Sequence, residues 1–166
     1  MIFDQTASGT EVFLDANTLI YHFANDAAYG AACTRLVERI DQNDLKGCTS
    51  TAVISDCAHR MMSIEAMDRF GWPMAGLAAR LRKRHAEIRK LTVFEQAINE
   101  VPQLGIRVHE VTLDLVLTAA KLSRQHELLS GDALVVAMMQ ASGLSNLASN
   151  DADFDRVPGI ARYRPA

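Results

Sequence analysis

The chain is poor in the features that announce a special environment. Its 166 residues include only three cysteines, Cys33, Cys48 and Cys57. An odd, scattered set with no CxxC spacing supports neither a disulfide framework nor a zinc knuckle, which leaves a reducing, cytoplasmic setting as the expectation. No apolar run reaches the roughly 18 residues of a membrane span. The opening Met1-Ile2-Phe3-Asp4-Gln5 also lacks the basic region and apolar stretch of a secretion signal, so an untargeted soluble protein with no membrane role is expected. A basic excess is missing too: seventeen Lys+Arg face twenty Asp+Glu, for a formal charge of -3, so global charge does not announce a nucleic-acid binder. There is no internal repeat, linker or low-complexity segment.

What is present is the profile of one globular domain with an ordinary core, 49% hydrophobic and 22% charged with a mean hydropathy of +0.01. The charge is unevenly placed. Arg80, Arg82, Lys83, Arg84, Arg89 and Lys90 crowd one stretch, and Asp151, Asp153 and Asp155 another. A basic rim beside an acidic centre would suit a phosphate polymer cut with metal ions; a solvated helix face explains the basic run equally well.

Periodicity gives a coarse layout. Glu11-Val12-Phe13-Leu14-Asp15 is a short apolar run that reads as a buried strand ending in a carboxylate. Helical spacing follows over about 18–25 and 28–40, where Ala31, Leu36, Val37 and Ile40 form one stripe. Cys48-Thr49 reads as a second strand. A helix then runs from an N-cap at Ser50 or Thr51 to about residue 69, stopped by Gly71-Trp72-Pro73. Helices over about 74–88 and 92–100 make a helical lobe. Ile106-Arg107-Val108 is a third strand, 113–127 a helix, 132–141 a helix capped by Ser130, and Asn146-Leu147-Ala148-Ser149 a fourth strand. Strands alternating with helices predict an α/β fold, a three-layer α/β/α sandwich around a parallel sheet.

In such sheets ligands collect beyond the carboxyl ends of the strands. Asp15 ends the first strand and Asp151 lies just past the fourth. Asp132 opens the helix before that strand, and Asp56 lies in the second turn of the helix after the second. Singly, each has a local explanation as a cap, a helix-dipole partner or a solvated residue. Together they are harder to explain locally, because no Lys or Arg lies within a helical turn of Asp15, Asp132 or Asp151. Two carboxylates about 4 Å apart repel by about 4 kcal/mol at an effective dielectric of about 20, so a shared pocket requires cations or protons. All-oxygen ligands select Mg²⁺ or Mn²⁺ over zinc, and such ions support phosphodiester hydrolysis without a nucleophilic side chain.

Four segments carry a family resemblance: Val12 through Ile20, Ser50 through Arg60, Gly131-Asp132-Ala133-Leu134-Val135-Val136-Ala137, and Asn146 through Val157. In order and spacing they resemble the four motif blocks of the PIN-domain family, in its VapC-like branch. The resemblance covers nearly the whole chain and implies a single PIN domain over 1–166, Rossmann-like, with a helical lobe at about 74–100. It implies a divalent-metal ribonuclease, often a toxin neutralised by a small antitoxin partner, and a homodimer. By match of motif, Asp15, Asp132 and Asp151 would be direct or water-bridged metal ligands. Asn17, Ser149 and Asp153 would shape the site by hydrogen bonds or a further carboxylate. The second block departs from the pattern: where the family usually has glutamate this chain has Asp56, one methylene shorter, which keeps a carboxylate but shortens its reach. Arg80, Arg82, Lys83 and Arg84, in the lobe, are the candidate RNA contacts.

Other residues carry less. His59, His85 and His109 share no metal-ligand spacing and read as ordinary histidines, while His22 follows the first block closely enough to be a candidate for facing the site. Met61-Met62 and Met138-Met139 read as packing. Two rival functions remain: a PIN-fold module that binds RNA or a partner without cutting, and a haloacid-dehalogenase-type phosphatase, whose first motif Phe13 through Leu19 resembles. The latter would use Asp15 as nucleophile and needs a second carboxylate where Asn17 stands.

Overall fold

A computed structural model describes residues 1–166. Five short strands, β1 (Glu11–Leu14), β2 (Lys46–Ser50), β3 (Arg107–His109), β4 (Asn146–Ala148) and β5 (Ala161–Tyr163), form one sheet in the order β3-β2-β1-β4-β5. Every pairing is parallel, with Phe13 opposite both Cys48 and Leu147. The central strand is apolar because both its faces are covered: Val12, Phe13 and Leu14 are fully buried. The fifth strand was not foreseen. It is three half-buried residues at the sheet edge, too short for a period-2 signal.

Eight helices connect the strands: α1 (Ala16–Phe23), α2 (Gly30–Asp41), α3 (Thr51–Phe70), α4 (Leu77–Lys83), α5 (His85–Ile88), α6 (Val93–Glu100), α7 (Leu113–His126) and α8 (Ser130–Ala141). The chain steps from β1 to β2 to β3 in one direction and then crosses back to β4. Right-handed crossovers therefore put α1 to α6 on one face and α7 and α8 on the other. The packing agrees, with α1 against α2 and α3, α3 against α6, and α7 against α8. This is the three-layer sandwich.

Several boundaries differ from the sequence reading for physical reasons. The helix expected over 74–88 is two, broken at Arg84 (φ -119°, ψ 50°), whose guanidinium lies 5.4 Å from the centre of the Trp72 ring. Ser130 does not cap α8; it is the first helical residue, after Leu129, and no side chain caps that end. On α2 the buried stripe is Ala32, Cys33, Leu36, Val37 and Ile40, with Ala31 exposed. The ends of α3 follow the reading. Ser50 Oγ accepts from the Val53 N–H at 3.3 Å, and Gly71 closes the helix in the left-handed region at φ 64°.

The core holds 31 buried residues around the sheet, and a separate small cluster of Ala66, Leu77, Leu81 and Leu91 ties the lobe to the far end of α3. Buried Glu65, on α3, anchors the same lobe: its carboxylate accepts from the N–H groups of Thr92, Val93 and Phe94 at 2.8, 2.9 and 3.2 Å. Those are the otherwise unpaired donors at the start of α6. The three cysteines are buried and unpaired, and burial pushes their thiols up to about 12. No helix is long and apolar enough to cross a membrane.

Candidate metal centre

The sheet reverses direction at β1, which has β2 on one side and β4 on the other. The crevice beyond the carboxyl ends of β1 and β4 is the topological switch point, where neighbouring loops diverge and leave room for a ligand. Asp15 directly follows β1, and Ser149-Asn150-Asp151 directly follows β4. A cavity of about 260 Å³ opens there, lined among others by Asp15, Asn17, Ser50, Asp56, Asp132 and Asp151. Four carboxylates from four separated segments thus meet in one cavity.

Asp15 is the innermost, 8% exposed. As N-cap of α1 its Oδ1 accepts from the Ala16 N–H at 2.7 Å. Its Oδ2 accepts from Asn17 Nδ2 and from Ser149 Oγ, each at 2.7 Å. Asn17 also donates to Ser149 Oγ at 3.0 Å and accepts from the Asn150 N–H at 3.1 Å, and Ser149 Oγ accepts from the Asp151 N–H at 3.0 Å. Asn17 and Ser149 are thus a hydrogen-bonded strut between the first and last blocks. Thr18 adds a bond to the Ala148 carbonyl at 2.9 Å. Burial raises the Asp15 carboxyl above its usual range, against the lowering effect of its donors, and the negative charges of Asp151 and Asp56 raise it further.

Asp132 projects from the first turn of α8. Burial, and then the charges of Asp15, Asp151, Asp153 and Asp56, push it from 3.8 up to about 6. Asp151 caps the short 3-10 turn Ala152–Arg156, accepting from the Asp153 N–H at 2.9 Å. One carboxylate oxygen each of Asp132, Asp151 and Asp153 lie within 4.8 Å of one another. Opposite ligands of a Mg²⁺ ion are about 4.2 Å apart at ~2.1 Å per bond, so this oxygen set fits a hard divalent cation after small side-chain movements. Asp56 differs in being exposed, at the rim of the cavity.

Two arginines near this centre escaped the sequence reading. Arg156 pairs with Asp153 three residues before it, a spacing that was legible, and donates to the Glu127 carbonyl at 3.1 Å. Arg162, on the unforeseen β5, grips both oxygens of Asp155 at 2.8 and 2.7 Å and donates to the Ser149 carbonyl at 3.3 Å. Neither forms an ion pair with Asp15, Asp132 or Asp151, although the charge of Arg162 acts favourably on Asp151 from beyond contact. The remaining candidates lie elsewhere. His22 turns to Thr34 Oγ1 at 2.9 Å and does not line the cavity. Arg80, Arg82, Lys83 and Arg84 belong to the lobe at the far end of α3, so the basic run does not rim the acidic cavity.

The PIN-domain family model matches residues 12–160. The chain belongs to the PIN-domain family. Several solved structures share the PIN fold with it. VapBC2 from Rickettsia felis, bound to a DNA fragment from its promoter, aligns at a TM-score of 0.58 and 13% identity, over 94% of this chain and 99% of that one. VapC20 of Mycobacterium tuberculosis, described as a sarcin-ricin loop cleaving toxin, aligns at 0.56 and 24% identity, over 93% and 99%. A toxin-antitoxin complex from Klebsiella pneumoniae aligns at 0.52 and 16% identity, over 90% and 95%. No curated protein matches the sequence.

Proposed function

We propose that this PIN-domain chain is a divalent-metal-dependent endoribonuclease that hydrolyses RNA phosphodiester bonds with Mg²⁺ or Mn²⁺. We extend this to a toxin held in check by a small antitoxin protein, acting as a homodimer in the cytoplasm. The observation that carries the nuclease reading is the meeting of Asp15, Asp56, Asp132 and Asp151 in one cavity at the switch point, with Asp153 beside them and no arginine paired to the first four. The toxin reading is supported by family membership and by the toxin-antitoxin neighbours.

Asp15, Asp132 and Asp151 would hold the ion directly or through water, with Asp153 as a further carboxylate and Asp56 reaching through a water. A bound divalent ion supplies Lewis acidity toward a phosphoryl oxygen and lowers the pKa of a coordinated water. The chain supplies the positioning. Asn17 and Ser149 fix the rotamer of Asp15, and the cap to Asp153 fixes Asp151.

The test is cleavage of single-stranded and structured RNA by purified protein with Mn²⁺, Mg²⁺ or EDTA. Cleavage should stop with EDTA and be lost in Asp132→Asn with the fold intact. Asp15→Asn is the less clean variant, because an amide offers one oxygen to the three donors that Asp15 now accepts from. Cleavage that survives EDTA and Asp132→Asn would sink the assignment.

A second reading, a PIN module that binds RNA or a partner without cutting, is favoured by one observation: Asp56 is both shorter than the usual glutamate and exposed at the rim. Binding of RNA without EDTA-sensitive cleavage would establish it. The phosphatase alternative loses support, since Asn17 spends its amide on Asp15 and Ser149 and its carbonyl on Asn150. No trapped aspartyl-phosphate at Asp15 is expected.

A further inference from the structure

The basic run in the lobe carries more charge than the protein itself uses. Arg80 is spent on the carbonyls of Pro73 and Ala75 at 3.1 and 3.0 Å, and Lys90 pairs with Glu87 at 2.6 Å. Arg84 lies on Trp72, which in turn packs on Phe70 with ring centres 4.6 Å apart. Arg82, Lys83 and Arg89 are exposed and have no carboxylate or carbonyl partner. Between residues 77 and 91 Glu87 is the only acid against six cations, in a chain whose net charge is -3. A face charged merely for solubility interleaves both signs at i,i+4 spacing; this one segregates them, which marks it for an anionic ligand.

Its distance from the cavity follows from α3. Asp56 lies in the second turn of that helix, and the lobe packs on Ala66, Met67 and Phe70 near its other end. At about 1.5 Å per residue, these stand about 15 to 21 Å along the axis from Asp56. That is about two Debye lengths at physiological salt, ~8 Å each, so the basic surface does little to neutralise the acidic cavity. It can hold a polyanion that reaches both. At about 3.4 Å per stacked nucleotide, the span is about four to six nucleotides.

We infer that the lobe is a second RNA contact, built from Arg82, Lys83 and Arg89 with the Arg84-Trp72 stack beside them, that grips the phosphate backbone about 20 Å from the bond being cut. It favours RNAs long enough to span both places. The assignment rests on the ribonuclease reading for the identity of the polyanion.

The experiment compares wild type with the triple variant Arg82→Glu, Lys83→Glu, Arg89→Glu, on a tetranucleotide and on a hairpin of about 30 nucleotides, well beyond the ~20 Å span. Wild type should cleave the hairpin with a kcat/KM about tenfold or more above the tetranucleotide, and the variant should lose that advantage while keeping the short-substrate rate and the Mn²⁺-induced rise in Tm. The slope of log K against log salt for hairpin binding should flatten by about 2, at ~0.7–0.9 for each phosphate no longer neutralised. An unchanged length advantage or salt slope in a folded variant overturns the inference. So does a variant that loses only its binding to anionic lipid vesicles, which makes the surface a membrane contact. If wild type cleaves neither RNA yet binds the hairpin, and the variant does not, the lobe contact stands and the cleavage assignment falls.

Discussion

Replacing Asp132 by asparagine should make the metal-free protein more stable and the metal-loaded protein less so. In the folded chain without metal, Asp132 is displaced from 3.8 to about 6 by burial and by four neighbouring carboxylates. A displacement of that size corresponds to at most about 3 kcal/mol of strain at pH 7.5, where the group is ionised in both states. Asp132 is only partly buried, so solvent screening reduces this to ~1–2 kcal/mol. Asparagine removes the charge and with it a favourable interaction with the start of α8, about 0.3–1 kcal/mol. The cost of burying the charge among other carboxylates is the larger quantity, and the variant should gain about 1 kcal/mol in EDTA at pH 7.5, equivalent to about 2–4 °C in Tm for a chain of this size.

The pH dependence has a definite sign. A carboxyl raised in the folded state contributes stability that is fully present below its unfolded value near 3.8 and is lost as pH rises through about 6. The advantage of the variant should therefore shrink as pH falls from 7.5 to 5 and vanish near 4. His22 works the other way, because burial lowers its pKa and so acid destabilises the fold through it. The readout is accordingly the difference between variant and wild type, in which His22 cancels. At a hundredfold excess of Mn²⁺ over its Kd the wild type should gain about 2.7 kcal/mol, and a weakened site much less, so the order of stabilities crosses over. Circular dichroism melts in EDTA and in Mn²⁺ measure all of this. A variant less stable than wild type in EDTA, with an equal Mn²⁺ shift in both, would refute the idea of a crowded acidic pocket awaiting a cation.

Asp56→Glu restores the reach of the family's usual residue, and Mn²⁺ affinity or cleavage rate should increase; no change would mean that the cavity is built around the shorter acid, as its exposed position on the rim allows. Glu65→Ala removes the charged acceptor from three partly buried N–H groups at the start of α6 and should cost about 1–3 kcal/mol. Denaturant melts, with the single Trp72 as a fluorescent reporter in the lobe, check this, and a loss under 1 kcal/mol would mean that water replaces the carboxylate. Gly47→Ala would bring a methyl to 2.8 Å from two carbons of the buried Ile40 side chain, so it should destabilise by about 1–3 kcal/mol with metal affinity unchanged; a neutral effect in the same melts would show that Ile40 can move aside.

How far the sequence could be read depended on whether a signal was local. Val12-Phe13-Leu14-Asp15 was legible because a central parallel strand is apolar on both faces and its end is marked by the first acid. The long helix α3 was legible from its Ser50 cap and Gly71 stop. The acids could be named from the resemblance, but only the sheet order places Asp15 and Asp151 at the same crevice, since the reversal at β1 is a property of pairing. Features made by contacts distant in sequence were invisible. Nothing near Glu65 announces that it caps a helix starting 28 residues later, and nothing near Arg162 announces a fork onto Asp155 at a strand too short to show a period.

The basic run shows the same limit with a functional consequence. Composition revealed the charge but not its location, and the natural guess put it around the acids. In the fold, α3 is the beam that decides the matter: twenty residues long, with Asp56 near one end and the lobe on the other. A deletion of one heptad from its middle would shorten that beam by about 10 Å and rotate the far end by only about 20°, since seven residues fall just short of two turns. If the lobe is a remote anchor, a folded protein so shortened should prefer RNAs about three nucleotides shorter at ~3.4 Å each, and a purely structural lobe predicts no shift in that preference.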